Sequence, residues 1–155
     1  MTVHTTDDRK ENLSAGQCFI TPVDVPIGIQ ADEDSIYMEI ELPKDAGMNS
    51  VLKVGKTFNL AELLPYQEGR IVNMDLLNDE KMKFVIMSFD AGTGLAEHAA
   101  PGEAFVLALN GKAVIRYEGR PHEIHAGEIF KFDKMGRHAV EADDRFKMAL
   151  LLILK

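Results

Sequence analysis

Turn residues divide the chain into short strand-like runs at intervals of about ten residues, and this spacing is typical of β-sandwiches and β-barrels. One segment differs, because residues 59–66 have the pattern of a short capped helix that ends before Pro65. We therefore expect an all-β fold with one short helix. The predicted strands lie in the runs QCFITP, SIYMEIEL, RIVNMDLL, MKFVIMSF, EAFVLALN, KAVIRYEG, EIFKF, HAVEA and FKMALLLIL.

The strongest hairpin signal is the pair Asn110-Gly111, which lies between two apolar runs. An Asn-Gly pair suits a type I′ turn with positive φ at both central residues, so we predict a β-hairpin here. In the run before this turn, Phe105, Leu107 and Leu109 share one face. That face needs a cover, which a second sheet, the N-terminal segment or another subunit could supply. The last run is apolar on both faces in its second half, which indicates a strand buried on both sides.

Length and charge restrict the classes of partner. The 155 residues suffice for one domain with a core. A net charge of −8 argues against a nucleic-acid or anionic-membrane partner, since both need a positive surface. Cys18 is the only cysteine, the N-terminus is polar, and the longest apolar run is far shorter than the roughly 20 residues that span a bilayer. We expect a cytoplasmic protein without an intramolecular disulfide.

The chain also contains an internal repeat. Residues 3–32 align without gaps on residues 114–143, and SIYMEIEL then aligns on RFKMALLL with one residue removed. We predict that residues 1–45 are a partial repeat that packs as extra strands, that residues 46–70 are a connector with the short helix, and that residues 71–155 form a complete barrel. The free strand edges should join the outer sheet of the barrel, in the same chain or by exchange in a homodimer. A piece of a longer protein with two such barrels would show the same pattern.

The segment from Gly92 to Gly111 can be compared with the pattern G-x5-H-x-H-x3-E-x6-G, in which five positions are defined. It keeps the glycines and His98, but Ala100 stands at the second histidine position and Ala104 at the glutamate position. With this spacing, the segment resembles the first motif of the cupin superfamily. The resemblance implies a double-stranded β-helix, the jelly-roll barrel of RmlC-like cupins.

The second cupin motif, G-x5-P-x-G-x2-H-x3-N, is matched more weakly. Gly127 and His138 are present, while Asp133, Met135 and Ala142 replace the proline, the second glycine and the asparagine. The resemblance covers roughly residues 71–154. It carries more information about the fold than about the activity, because the superfamily hosts many functions.

In metal-binding cupins, three histidines and one glutamate converge on a divalent ion. By this resemblance only His98 and His138 remain as metal ligands, whereas a catalytic metal site generally keeps three protein ligands. Strand alternation turns Glu97 and Glu103 away from the ion position. The other nearby histidines, His122 and His125, lie before Gly127 and away from that position. We therefore expect either no cofactor or a weakly bound Mn, Fe, Zn or Ni ion.

The alanines make room inside the barrel. With Ala100, Ala104 and Val106 on the inner face, the lumen should be roomy and apolar, and His98 and His138 should be its polar groups. These five residues form the predicted ligand-binding site, since apolar pockets with few polar groups suit small molecules. The alternative is a lumen filled by larger side chains from facing strands, such as Phe132, Met135 and Met148.

Three functions remain open, and the residues leave open whether the chain is an enzyme. The first is a non-catalytic cupin that binds a small molecule in the lumen. The second is a metal-dependent isomerase or dioxygenase that uses His98 and His138. The third is a structural or regulatory module. The two imidazoles could equally hydrogen-bond to each other, to water or to a backbone carbonyl, or one could act as a general base without a metal.

Overall fold

The computed structural model describes residues 1–6, 9–43 and 46–154. The chain forms two compact units, one ending at Asn59 and one starting at Leu60. The boundary between them falls inside the predicted connector of residues 46–70. In the described part of the chain, no helix is long and apolar enough to cross a membrane.

The described residues of the first unit form five short strands in two small sheets. One sheet has the order β2-β1-β4, and the other pairs β3 with β5. These pairings lie within the first unit. The expected addition of its strands to a sheet of the barrel, in the same chain or by exchange in a homodimer, stays a prediction. The strands on both sides of β1, β2 and β4, come from the same part of the sequence. Closing the loops that join them to β1 therefore has a low entropic cost. The strands are β1 (Thr2–Thr5), β2 (Lys10–Asn12), β3 (Gln17–Phe19), β4 (Ile27–Gln30) and β5 (Thr57–Asn59).

The second unit is an antiparallel barrel of two sheets. Their strand orders are β11-β10-β13-β8 and β12-β9-β14-β7-β6. A single 3-10 turn, Leu60–Glu62, precedes them at the position of the predicted helix. The strands are β6 (Ile71–Asn78), β7 (Met82–Phe89), β8 (Thr93–Ala99), β9 (Glu103–Asn110), β10 (Lys112–Tyr117), β11 (Arg120–His125), β12 (Ile129–Phe132), β13 (Arg137–Ala142) and β14 (Phe146–Ile153).

The hydrophobic core lies between these two sheets. Strand alternation sends every second side chain of each sheet into this space, as the apolar pattern predicts. Strand β14 is buried along almost its whole length, which confirms the prediction for the C-terminal run. The buried core consists of Met87, Phe89, Ala104, Val106, Ala108, Ala113, Ile115, Ile124, Phe132, Val140, Ala142, Phe146, Met148 and Leu152.

The predicted Asn-Gly hairpin is wrong in its pairing. Gly111 does make a turn, with φ of 74°, but β9 pairs with β12 and β14 while β10 pairs with β11 and β13. The turn therefore passes the chain from one sheet to the other. The two-residue hairpin is found instead at Glu118 and Gly119, where φ is 48° and 75° and Tyr117 pairs with Arg120. Positive φ at both central residues is the type I′ requirement that this turn satisfies.

The strand predicted in SIYMEIEL is also wrong. Residues 35–42 have no regular structure, and Ile36, Tyr37 and Met38 are exposed. The alternating pattern of this segment favours a strand, but a strand needs a neighbouring strand for its backbone hydrogen bonds.

The outer face of the five-stranded sheet is covered in part by the segment that enters the barrel unit. The 3-10 turn contacts β9 and β14, and its residues include the buried Leu60. Two polar contacts attach the segment to the sheet. Tyr66 Oη donates to Asn110 Oδ1 at 2.8 Å, and Lys147 Nζ donates to the backbone oxygen of Ala61 at 2.6 Å. With this cover, Phe105, Leu107 and Leu109 are half-buried.

Candidate functional site

Two histidines from neighbouring strands meet on the inner side of the four-stranded sheet. His98 of β8 lies directly opposite His138 of β13, and their ring centroids are 4.3 Å apart with a tilt of 55°. His138 is buried, with 4% of its surface exposed, while His98 is exposed. The pair therefore lies where the barrel interior opens to solvent, and the structure brings together both residues predicted from the motif spacing.

A bulge in β8 makes this pairing compatible with the core. His138 pairs with His98 but Val140 pairs with Leu95, so β8 has two residues where β13 has one. The extra residue allows both Leu95, which packs on the core, and His98 to face inward. Strict alternation would have turned one of them outward.

Each imidazole forms a hydrogen bond with the backbone oxygen of the residue two positions before it. His98 Nδ1 donates to the oxygen of Ala96 at 2.8 Å, and His138 Nδ1 donates to that of Gly136 at 2.9 Å. Because a carbonyl oxygen only accepts hydrogen bonds, Nδ1 carries the proton in both rings. In the described part of the chain, neither Nε2 is engaged in a hydrogen bond, so both Nε2 atoms are open to a ligand.

The lumen below the histidines is packed. The Phe132 ring stacks on the His138 ring, with centroids 4.0 Å apart and an angle of 17°, and only 1% of Phe132 is exposed. Met148 is equally enclosed, with 2% exposure. Two of the three predicted filling residues thus occupy the interior. The third, Met135, is 61% exposed and does not contribute to it.

The small residues predicted to line the site lie near the histidines. Ala104 of β9 pairs with Phe132 of β12 and is fully buried. Val106, two residues further along β9, faces the same way and is also fully buried. Ala100 packs against the edge of the core, and its oxygen accepts a hydrogen bond from Met135 N–H at 2.9 Å. The alanine methyl groups therefore contribute to a packed wall beside His138.

Tyr117 belongs to the site, although the sequence reasoning did not select it. It is the partner of His138 on β10, so His98, His138 and Tyr117 form one row across three strands. Tyr117 Oη lies 3.2 Å from Asp133 Oδ2, and a Cβ at Gly136 would overlap the Tyr117 ring. The tyrosine thus holds the loop of residues 133–136 over the row. The pairing of β10 with β13 was the missing information, since it joins residues far apart in sequence.

The residues present do not fit a metal ion held by three protein ligands. In the described part of the chain, no three side chains of His, Cys, Asp or Glu are grouped in a way that could hold one. Glu103 is directed to Lys131, with Oε1 3.6 Å from Nζ. His125 lies on the exposed side of β11 beside two glutamates. His122 packs against Phe130, with ring centroids 5.1 Å apart.

Burial lowers the pKa of His138 below its ordinary value of 6.5. The hydrogen bond to Gly136 opposes this shift, and the neighbouring His98 adds to it. The cause is desolvation, which disfavours the charged imidazolium. There is therefore a pH range in which His138 is neutral in the folded protein but protonated in the unfolded chain.

This difference predicts a loss of stability as the pH falls below 6.5. The unfolded chain then binds a proton that folded His138 resists, so the free energy of unfolding decreases with falling pH until the lowered pKa is reached. Urea denaturation at a series of pH values should show a shallower decrease for His138→Gln than for the unchanged protein. Val140→Ala provides a control, since it changes a buried neighbour in the same strand without removing a titratable group and should keep the original slope. Equal slopes for all three proteins would contradict the assignment.

Comparison with known proteins agrees with this architecture. Residues 85–154 match the family model described as the cupin domain. The chain is 40% identical to the Cupin 2 conserved barrel domain protein from Leptotrichia buccalis, with a TM-score of 0.61, and the match covers 63% of this chain and 47% of that one. No curated protein sequence matches the chain significantly.

Two further structures share the fold at lower identity. One is a cupin superfamily protein from Desulfitobacterium hafniense DCB-2, with 23% identity, a TM-score of 0.65, and coverage of 67% of this chain and 95% of that one. The other is a predicted oxalate decarboxylase from Thermotoga maritima, with 24% identity, a TM-score of 0.53, and coverage of 56% and 83%. The matched residues include both strands of the histidine pair, and this part of the chain, residues 85–154, belongs to the cupin superfamily.

Proposed function

We propose that this cupin binds a small molecule against the His98–His138 pair, at the solvent-exposed end of the barrel interior. The observation that carries the proposal is the identical anchoring of the two rings. Both Nδ1 atoms are occupied by backbone oxygens, which leaves both Nε2 atoms for a ligand. Among the described residues, no side chain or backbone group forms a hydrogen bond with either Nε2.

The chemistry of the pair favours a ligand that donates hydrogen bonds. A neutral imidazole accepts a hydrogen bond at an unprotonated Nε2, and the lowered pKa of His138 favours the neutral form at neutral pH. Hydroxyl groups of sugars or phenols supply such donors. Since Phe132 closes the interior behind His138, the ligand should lie against the pair rather than deep in the lumen. The ring of Phe132 and the methyl group of Ala104 provide an apolar wall.

A metal-dependent isomerase or dioxygenase is the second candidate. It is favoured by the fixed Nδ1–H form of both rings, since metal-binding histidines are commonly oriented by a hydrogen bond from the other ring nitrogen. It is disfavoured by the alanines at positions 100 and 104, which leave two protein donors. An ion at this pair would depend on water or substrate for its other ligands.

Thermal shift measurements with two groups of probes distinguish these candidates. The first group contains sugars, phenols and hydroxy acids, and the second contains Mn²⁺, Fe²⁺, Zn²⁺ and Ni²⁺. We expect at least one hydroxylated compound to raise the melting temperature, because a ligand at about 100 times its Kd stabilises the folded state by about 2.7 kcal/mol. His98→Ala and His138→Ala should each abolish this increase.

The control is His125→Ala, which removes an exposed imidazole outside the pair and should leave the increase unchanged. A shift that survives in both His98→Ala and His138→Ala would place the ligand elsewhere and contradict the proposal. A stoichiometric metal ion that remains through purification and is lost in His98→Ala would support the second candidate instead.

A further inference from the structure

The first unit repeats four strands of the barrel at a constant offset. Adding 111 to its residue numbers places β1 within β10, β2 within β11 and β4 within β13, and makes β3 overlap β12. The strand orders also correspond, since β2-β1-β4 has the same arrangement as β11-β10-β13. The internal similarity of the sequence is thus accompanied by a similarity of strand order.

The backbone conformation of the turns follows the same offset. Gly16 and Gly127 both have positive φ, 79° and 92°. More informative are Asp24 and Met135, with φ of 60° and 63°, because residues other than glycine rarely adopt this conformation. Corresponding turns therefore have corresponding strain.

Hydrogen bonds at the turn before β3 and the turn before β12 match as well. Gln17 N–H donates to Ser14 O at 3.1 Å, and Glu128 N–H donates to His125 O at 2.9 Å. In both turns the longer side chain also accepts from the earlier backbone N–H, at 2.9 Å for Gln17 Oε1 and 2.8 Å for Glu128 Oε2. The first unit is therefore built like the β10–β13 part of the barrel.

One strand edge distinguishes the two copies. In the barrel, β13 is paired on both sides, with β10 and with β8. In the first unit, β4 pairs with β1, and among the described residues no strand lies on its other side. The edge of β13 that corresponds to this edge of β4 pairs with β8, and within the described chain the β4 edge has no strand equivalent to β8.

The β4 edge also lacks the charges that usually protect such edges. Strands at sheet edges commonly carry charged residues that prevent pairing with another chain. In the three larger sheets, the edge strands β2, β6, β8, β11 and β12 each contain a charged residue. The residues of β4 are Ile27, Gly28, Ile29 and Gln30, none of which is charged.

Exposed apolar side chains are concentrated in the same unit. Among the described residues, seven of the nine large hydrophobic residues that are exposed lie before residue 60, and two lie in the barrel. Such a concentration is typical of an interaction surface. The seven are Val23, Ile29, Ile36, Tyr37, Met38, Val51 and Val54.

We propose that β4 pairs in an antiparallel manner with β4 of a second copy of the chain, giving a continuous six-stranded sheet across a two-fold axis. With the axis at Gly28, each Ile27 lies opposite Ile29 of the other copy, an apolar pair of the kind that stabilises antiparallel strands. A second copy fits this edge because the edge is uncharged and complementary to itself, as a two-fold contact requires.

Light scattering on the purified full chain tests the proposal. We expect a mass of twice 17.2 kDa for the unchanged protein and of 17.2 kDa for Ile29→Lys, which places a charge on the edge. Ile129→Lys is the matched control, since Ile129 is also exposed and lies on an edge strand of the barrel. This control should remain a dimer. A monomeric unchanged protein, or an Ile29→Lys variant that keeps the double mass, would contradict the proposal.

A cysteine cross-link tests the register independently of that variant's folding. In a Cys18→Ser background, Gly28→Cys should form a disulfide between two copies on oxidation, because the two-fold axis places the residues opposite each other. The site tolerates a side chain, since a Cβ at Gly28 meets nothing within 4 Å. Lys10→Cys on β2 should form no disulfide between copies under the same conditions, because β2 lies at the opposite edge of the sheet. Cross-linking at Lys10 but not at Gly28 would assign the contact to the other edge and overturn the proposal.

Discussion

Phe132→Ala is expected to lower the free energy of unfolding by about 3–5 kcal/mol, as for other large aromatic residues removed from a core. Phe132 is 1% exposed, and its ring stacks on that of His138. Its ring centroid lies 5.3 Å from that of Phe130 and 5.6 Å from that of Tyr117. Removing it leaves a cavity between the two sheets and takes the stacked partner from His138. Equilibrium denaturation in urea measures the loss.

Two other substitutions show whether the loss of stability comes from lost packing or from any change in β12. Phe132→Leu keeps much of the buried volume and should cost clearly less than Phe132→Ala. Ile129→Ala changes an exposed residue of the same strand and should cost about 0.5 kcal/mol or less. If Phe132→Ala cost no more than Ile129→Ala, the interior beside His138 would not be packed, and a ligand deep in the lumen would become the better explanation.

Gly111→Ala should lower the free energy of unfolding by about 3 kcal/mol or more, from two causes that add. Gly111 has φ of 74°, a conformation that a residue with a Cβ adopts at a cost. In addition, the new Cβ would overlap the backbone oxygen of Arg145, the residue immediately before β14. Since that neighbour is backbone rather than a flexible side chain, the strands must move apart to make room. Denaturation in urea at neutral pH gives the magnitude.

Gly119→Ala isolates the conformational cost. Gly119 has nearly the same φ, 75°, but a Cβ there meets nothing within 4 Å. This variant should therefore cost about 1 kcal/mol, the penalty for the left-handed conformation alone. Similar losses for Gly111→Ala and Gly119→Ala would show that the approach of Arg145 to the turn is not tight.

The resemblance to the two cupin motifs, carried by the spacing of the glycines and histidines, predicted the central pair of the candidate site. It placed His98 and His138 together, and the structure has them on directly opposed positions of β8 and β13. The resemblance is informative about this geometry because each histidine lies at a defined position in a strand that follows a turn. It could not predict the bulge at Ala96 and Glu97, which depends on how two strands far apart in sequence pair.

Pattern reasoning failed where the partner of a strand decides the outcome. Asn110-Gly111 has the residues of a hairpin, yet β9 and β10 belong to different sheets because each is paired on both sides by other strands. Likewise, the alternation in residues 35–42 favours a strand that lacks a partner within the described chain. A local pattern reports the preference of a segment, while its pairing depends on which segments compete for it.

For this protein, the sequence alone was sufficient for the β-class and the positions of most barrel strands, because apolar alternation and turn glycines act within a few residues. The two histidines were predicted from the resemblance of the sequence to the cupin motifs. The content of the lumen, in contrast, came from contacts between distant strands. Whether alanines at positions 100 and 104 leave a cavity depends on whether Phe132 reaches His138, and it does. The same holds for Tyr117 and for the open edge of β4, since packing and strand pairing join residues that the order along the chain keeps apart.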